Sequence, residues 1–158
     1  MPQLRKDPII GRWVIVSTER SKKPDQFDGS SGGPAEGECP FCEGRETHTP
    51  SEISAIRARG EKNKPGWNVR VLPSVAPFLR IEGELDRRGH GLYDVMNGIG
   101  AHEIVVETPR HIDNIADLPV EQISDVFAVY QERLADLEKD QRFKYVLAFK
   151  NYGWSAGG

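Results

Sequence analysis

The spacing of apolar residues divides the chain into a β-rich part and one helical segment. Short runs rich in β-branched and aromatic residues at 13–16, 67–72, 92–96 and 102–107 predict strands. From Pro119 onward the period changes to steps of three and four residues, with charged residues between, which predicts one amphipathic helix with Pro119 in its first turn. The apolar positions of this helix are Ile123, Val126, Phe127, Tyr130, Leu134 and Leu137.

Three further segments complete the predicted element order. A Thr-Pro-Ser start at 49–51, followed by spaced isoleucines, predicts a short helix ending by Gly60. The polar residues 18–38 predict a loop, and the run Phe143–Gly153 predicts a final strand. This order predicts a single α+β domain over residues 1–158, with a mostly antiparallel sheet and one long helix packed across it.

Composition narrows the class of protein. A chain of 158 residues with 37% hydrophobic and 28% charged residues is typical of a soluble globular domain. The net charge of −3 argues against nonspecific binding to nucleic acid or a membrane surface, which requires concentrated basic charge. No run is apolar enough to span a bilayer, and the N-terminal residues do not resemble a signal peptide. We therefore expect a cytoplasmic protein.

The two cysteines of the chain, Cys39 and Cys42, lie at Cys-x2-Cys spacing between segments rich in Gly and Pro. Two thiolates at this spacing can hold one tetrahedral zinc ion at about 2.3 Å, as in a zinc knuckle, and two more ligands complete the site. His48 is a local candidate, in a Cys-x2-Cys-x5-His pattern, or else a solvated loop residue. A redox disulfide or two inert thiols are the alternatives to zinc, although a reducing compartment favours the metal.

Three segments, in this order, resemble one family. They are DPIIGRWVIVSTERSKKP (7–24), CPFC (39–42) and FKNYGWSAGG (149–158). Together they are similar to the N-terminal half of the galactose-1-phosphate uridylyltransferases and their nucleotidyltransferase relatives, and the similarity runs from Arg5 to Gly158. The resemblance implies a histidine-triad-like fold that carries a zinc knuckle.

The resemblance also implies a set of metal ligands. In this family, zinc is held by the two knuckle cysteines, by a histidine that follows a strand, and by a histidine near the catalytic motif. Cys39, Cys42 and His111 match the first three positions. The fourth is expected beyond Gly158, in a His-Pro-His segment. The alternative for His111 is a surface histidine in a turn.

Four residues match family positions that contact the nucleotide or its phosphates. Asn151 and Gly157 match nucleotide-contact positions of the family. They lie in NYGWSAGG (151–158), whose small residues would let backbone amides approach a phosphate or ribose closely. Arg20 and Lys23 match basic residues that reach phosphate, in some members across a dimer interface, so the resemblance includes a homodimer among the implied assemblies. The alternatives are a Gly-rich hairpin end and a solvated charge run.

Further pocket positions show a departure from the family pattern. Phe41 matches an apolar residue that lines the base pocket, or it covers the zinc. Leu72 and Ser74 match pocket positions as well. However, the family usually has an asparagine and an aromatic residue where this chain has Ser74 and Ala76. The identity of the bound base is therefore open.

The implied reaction is the transfer of UMP between UDP-glucose and a sugar 1-phosphate, such as galactose 1-phosphate. The family uses a histidine nucleophile that carries the uridylyl group as a covalent intermediate. That nucleophile belongs to the His-Pro-His motif, so the chain is predicted to be an N-terminal domain truncated before the motif and inactive alone. The alternatives are an adenylyl-transferring ADP-sugar phosphorylase and a noncatalytic, zinc-stabilised binding or assembly module.

Overall fold

A computed structural model describes residues 2–17, 39–112 and 114–152. In chain order, the elements are β1 (Gln3–Lys6), β2 (Trp13–Val16), β3 (Ser54–Arg57), β4 (Trp67–Pro73), β5 (Arg88–His90), β6 (Tyr93–Asn97), β7 (Glu103–Val106) and α1 (Val120–Leu137), with 3-10 turns at Glu46–His48 and Ile115–Asp117. The predicted loop at 18–38 lies outside the described residues. Among those residues, none of the helices has the length and apolar character that a membrane span requires.

The strands form two antiparallel sheets rather than the single sheet predicted. The first has four strands in the order β2-β1-β6-β5, and the second has three in the order β3-β4-β7. In the first sheet, the β1–β2 hairpin turns through Asp7, whose carboxylate accepts the Ile9 backbone N–H at 2.8 Å. The α+β class with antiparallel pairing and one long helix is confirmed.

The helix packs on the three-stranded sheet, and this contact makes the main apolar cluster. Val69 and Val71 of β4 meet Val126 and Val129 of α1, and each of the four is at most 2% exposed. Successive residues of a strand point to opposite faces, so Leu72 lies on the face away from the helix. The central strand β4 is therefore covered on both sides.

Helix α1 begins where the sequence predicts. Pro119 precedes the first helical residue, and its carbonyl oxygen accepts the Ile123 N–H at 3.0 Å. The buried face differs in detail from the predicted one. Val129 is buried, whereas Phe127 is 60% exposed and meets Tyr130 edge to face at 5.9 Å between ring centroids.

The short helix predicted to end by Gly60 is wrong, because this region contains strand β3. Ser54 pairs with Val71 and Ala55 with Arg70 in antiparallel register, and the Ile53 N–H donates to the Val71 carbonyl at 2.8 Å. Pairing with β4, which is distant in sequence, overrides the local helix signal.

The strand predicted over Phe143–Gly153 is not formed in the part that the structure describes, residues 143–152. Tyr145, Leu147 and Phe149 keep the alternating apolar pattern and are 59–77% exposed. A strand requires a hydrogen-bonded neighbour, and no described strand forms a ladder with this segment.

A buried ion pair lies on β4. Arg70 is fully buried, and its Nε donates to Oε2 of Glu52 at 2.9 Å. Arg57 donates to the other oxygen of the same carboxylate. Burial raises the pKa of Glu52, but hydrogen bonds from Arg57, the Asn63 backbone and Arg70 outweigh it, so the net pKa lies below the usual range.

Shortening a core side chain tests the helix–sheet contact. Val126→Ala is expected to lower the free energy of unfolding by about 2 kcal/mol, because buried methyl groups are lost and a cavity remains. Val120→Ala is the control, since Val120 is 77% exposed on the same helix and should change little. Urea unfolding measures both, and equal effects would contradict the packing described.

Replacing the buried carboxylate tests the ion pair. Glu52→Gln is expected to cost about 3 kcal/mol at pH 7, because Arg70 is left buried without its counter-charge. The folded-state pKa of Glu52 is depressed, so its contribution is present above the usual glutamate pKa of about 4.3 and is lost as the pH falls through and below that value.

Urea unfolding between pH 7 and pH 3 measures the pH dependence of this effect. The difference between wild type and Glu52→Gln should narrow toward pH 3. The control is Asp86→Asn, which breaks the exposed Asp86–Arg88 pair and should cost below about 1 kcal/mol. A difference between wild type and Glu52→Gln that is constant with pH would contradict the depressed pKa.

Candidate functional site

The two cysteines lie in a turn with no regular strand, which we call the cysteine loop (residues 39–45). The Cys42 N–H donates to the Cys39 carbonyl at 3.3 Å, and the Arg45 N–H donates to the Cys42 carbonyl at 3.2 Å. These bonds curl the backbone so that the two thiols face the same space. Both cysteines are half-buried, and no disulfide joins them.

The turn after β7 brings a histidine to the cysteine loop. The Glu43 N–H donates to the Pro109 carbonyl at 2.9 Å, which fixes this turn beside the loop. Cys42 Sγ lies 3.7 Å from His111 Nδ1. Two such ligands of one tetrahedral zinc ion would lie about 3.6 Å apart, given the usual metal–ligand bond lengths.

The three predicted ligands are therefore close enough to share one ion. The ligand atoms of Cys39, Cys42 and His111 all lie within 4.8 Å of one another, and this group could hold a metal ion. It is the one such group found across the described ranges, and His48 is not part of it. His48 is instead an exposed residue whose N–H donates to the Arg45 carbonyl at 2.9 Å.

Burial and the neighbouring thiol together determine the pKa of Cys42. Burial, reinforced by the neighbouring Cys39 thiol, raises the pKa of Cys42. A protonated thiol is thus favoured at this position in the absence of a cation.

A buried glutamate anchors the cysteine loop, and sequence reasoning missed it. Glu46 is 6% exposed, and its Oε1 accepts the Trp67 indole N–H at 2.8 Å and the Gly44 backbone N–H at 3.1 Å. Burial raises the pKa of Glu46, but the hydrogen bonds from Trp67, from the backbones of Glu46 and Gly44, and the Arg70 charge outweigh burial, so the net pKa lies below the usual range. Nothing in a single sequence separates this glutamate from a solvated one.

The residues predicted to contact the base are spread over the loop and β4. Phe41 lies in the cysteine loop with 36% of its surface exposed. Leu72 is fully buried in a cluster with Trp67 and Val106, so its side chain packs in the core. Ser74 is half-buried, and its Oγ accepts the Ala76 N–H at 3.3 Å. Roles for Phe41, Leu72 and Ser74 in base binding stay predictions.

The described end of the chain is held near the turn after β7. Lys150 forms an ion pair with Glu107, whose carboxylate also accepts the Tyr130 hydroxyl at 2.9 Å. Burial and this carboxylate raise the pKa of Tyr130 above its usual value. Asn151, the next residue, is exposed. The other three predicted nucleotide contacts, Arg20, Lys23 and Gly157, lie outside the described residues.

Comparison with known sequences identifies the family. Residues 1–158 match the family described as galactose-1-phosphate uridyl transferase, N-terminal domain. An ADP-glucose phosphorylase from Arabidopsis thaliana is 33% identical over 161 aligned residues, which cover 99% of this chain and 45% of that protein. A galactose-1-phosphate uridylyltransferase from Thermotoga maritima is 27% identical over 162 aligned residues, covering 99% of this chain and 43% of that protein.

Solved structures give the same result. A uridylyltransferase structure matches 98% of this chain and 41% of its own, with a TM-score of 0.68 and 29% identity. The Arabidopsis thaliana ADP-glucose phosphorylase with bound ADP-glucose matches 100% of this chain and 45% of its own, with a TM-score of 0.62 and 32% identity.

The fold is that of the uridylyltransferase and ADP-glucose phosphorylase structures, which are nucleotidyltransferases. The chain belongs to the galactose-1-phosphate uridyl transferase family, through its N-terminal domain. It spans less than half the length of the relatives it matches.

Removing a ligand tests the metal group. Cys39→Ser and Cys42→Ser are each expected to lower the zinc bound by the purified chain from about one ion to well below one, because a thiolate ligand is lost. Mass spectrometry under native conditions and elemental analysis measure the stoichiometry. His48→Ala is the matched control and should retain the wild-type content. Unchanged zinc in both serine variants would contradict the site.

Proposed function

We propose that residues 1–158 form the N-terminal domain of an enzyme that moves UMP between UDP-glucose and a hexose 1-phosphate, such as galactose 1-phosphate. One observation carries this proposal. The whole chain matches the family, and the structure brings Cys39, Cys42 and His111 together although 68 residues lie between Cys42 and His111.

Zinc is the metal we assign to this group. Two thiolates and one imidazole suit zinc, and the 3.7 Å separation of Cys42 Sγ and His111 Nδ1 fits a tetrahedral ion. A bound cation would reverse the preference of Cys42 for its thiol form, because a coordinating thiol loses its proton. Three residues of this chain would then cross-link the cysteine loop to the turn after β7, which stabilises the fold rather than performing chemistry.

The nucleotide would be bound by the residues that match the family. The Phe41 ring is half-exposed at the cysteine loop, and the Asn151 amide is exposed beside Lys150, so both are accessible to a ligand. Ser74 offers one hydroxyl at the end of β4. Arg20, Lys23, Leu72 and Gly157 complete the proposed set by resemblance. The proposal includes a homodimer. It also includes a cytoplasmic location, because both cysteines belong to the proposed metal site and a reducing compartment favours metal binding over a disulfide.

The covalent step is assigned to no residue of this chain. In the proposed reaction a histidine nitrogen attacks the α-phosphorus of UDP-glucose, and glucose 1-phosphate leaves with the electron pair of the broken P–O bond. The second sugar 1-phosphate then displaces the histidine. The chain has four histidines, and none is in a His-Pro-His sequence. Its proposed role is binding and support.

A second candidate transfers an adenylyl group instead. The Arabidopsis thaliana ADP-glucose phosphorylase is 33% identical to this chain, compared with 27% for the Thermotoga maritima uridylyltransferase. Ser74 and Ala76 replace the asparagine and aromatic residue expected in uridylyltransferases, which removes an amide and a ring from the pocket. Uridylyl transfer and adenylyl transfer both occur at the α-phosphorus of the nucleotide-sugar. The two activities differ in the base that the enzyme binds.

Ligand protection of the folded state separates the two candidates. UMP and UDP-glucose are expected to raise the melting temperature more than AMP and ADP-glucose do, because a ligand that binds only the folded state stabilises it by about 2.7 kcal/mol at 100 times Kd. Differential scanning fluorimetry at millimolar ligand gives the comparison. Asn151→Ala should reduce the shift, whereas Lys144→Ala, an exposed control, should not.

The outcomes distinguish the candidates. Stronger protection by AMP and ADP-glucose would assign the adenylyl activity. Zinc binding with no protection by any nucleotide would refute both and leave a zinc-stabilised binding or assembly module.

A further inference from the structure

We propose that Glu46 is a positioning residue for the metal site, which sets the shape of the cysteine loop and thereby its affinity for zinc. This inference rests on the proposed zinc site. Glu46 is not a ligand, because the group of side chains that could share an ion consists of Cys39, Cys42 and His111. It acts instead on the backbone that carries the thiols.

The contact begins two residues after Cys42. The Gly44 N–H donates to Oε1 of Glu46 at 3.1 Å, at a point where the backbone takes a left-handed conformation with φ of 89°. This conformation turns the chain sharply after Cys42, and it is accessible because glycine has no Cβ. The Glu46 carboxylate thus fixes the Gly44 amide, at the turn that follows Cys42.

The same oxygen is held on the sheet side by a rigid partner. Trp67 is 1% exposed at the start of β4 and donates its indole N–H to Oε1 of Glu46 at 2.8 Å. Arg70 lies over the Trp67 ring, 5.6 Å from the ring centroid, and is itself held by Glu52. The core therefore fixes the orientation of the indole. Because Glu46 accepts hydrogen bonds from both Trp67 and Gly44, the fixed indole also holds the Gly44 backbone in place.

A second set of contacts fixes the residue next to Gly44. Glu43 Oε1 accepts the Gly66 N–H at 2.6 Å, immediately before Trp67, while the Glu43 N–H donates to Pro109 at 2.9 Å. The cysteine loop is thus tied to β4 and to the turn that carries His111. Without Glu46, the Gly44 amide loses its bond to the core, and the Gly44 turn must be ordered when the metal binds.

Loss of such a supporting contact typically lowers metal affinity 10- to 100-fold. We expect Glu46→Ala to weaken zinc binding by about 10-fold or more. Glu46→Gln retains an oxygen at the position that accepts both N–H groups, so its affinity should stay within about threefold of wild type. Trp67→Phe removes one of the two donors and should fall between the two variants.

The measurement is competition for Zn²⁺ against a chromophoric chelator, with the 158-residue chain. Co²⁺ substitution provides a second readout, because the intensity of its visible absorption reports the tetrahedral geometry of the site directly. Glu103→Gln is the matched control: it breaks the part-buried ion pair between Glu103 of β7 and Arg133 of α1, which involves neither the cysteine loop nor the contacts that hold Glu46. It should lower thermal stability and leave zinc affinity and the Co²⁺ spectrum unchanged.

The outcomes separate this inference from the zinc proposal. Wild-type chain that binds no zinc would refute both. Wild-type chain that binds zinc, with Glu46→Ala at equal affinity, would refute only the positioning role. Equal losses of zinc affinity in Glu46→Ala and Glu103→Gln would show a general effect of stability and would also overturn the positioning role. If Glu46→Ala does not fold, wild-type affinity and spectra in Trp67→Phe would overturn the role on their own.

Discussion

The carboxylate of Glu46, buried against the Trp67 indole, ties the irregular cysteine loop to the regular part of the structure. The loop has no strand of its own, so a few hydrogen bonds must hold it. A buried carboxylate remains charged only when donors surround it, and here two N–H groups and a nearby arginine supply that environment. The placement of both thiols depends on this contact.

Strand β4 supplies the frame for the site and for the core. Val69 and Val71 pack on helix α1, while Arg70, between them in sequence, points to the opposite face and pairs with Glu52. Trp67 begins the strand and reaches the cysteine loop. The helix contact therefore stabilises the strand to which the cysteine loop is hydrogen-bonded.

The sequence predicted those elements whose own residues show a clear helical or strand pattern of apolar and polar positions. Helix α1 repeats its pattern over 18 residues, and β4 alternates apolar and polar residues from Trp67 to Val71, so both were found. Strand β3 was missed because its pairing with β4 is a long-range property. Cys39 and Cys42 followed from spacing and His111 from a family resemblance, but Glu46 carries no sequence signal because its burial depends on where Trp67 lies.

The turn after β7 links the metal group to the described end of the chain. At one end of this turn, Glu107 holds Lys150 and the Tyr130 hydroxyl, and at the other His111 faces Cys42. Only three residues separate Glu107 from His111, so ordering one end restricts the other. An ion held at His111 would therefore stabilise the same turn that positions Lys150, and with it the neighbouring Asn151. In this arrangement a structural metal would support the segment that we propose to bind the nucleotide, without itself contacting that ligand.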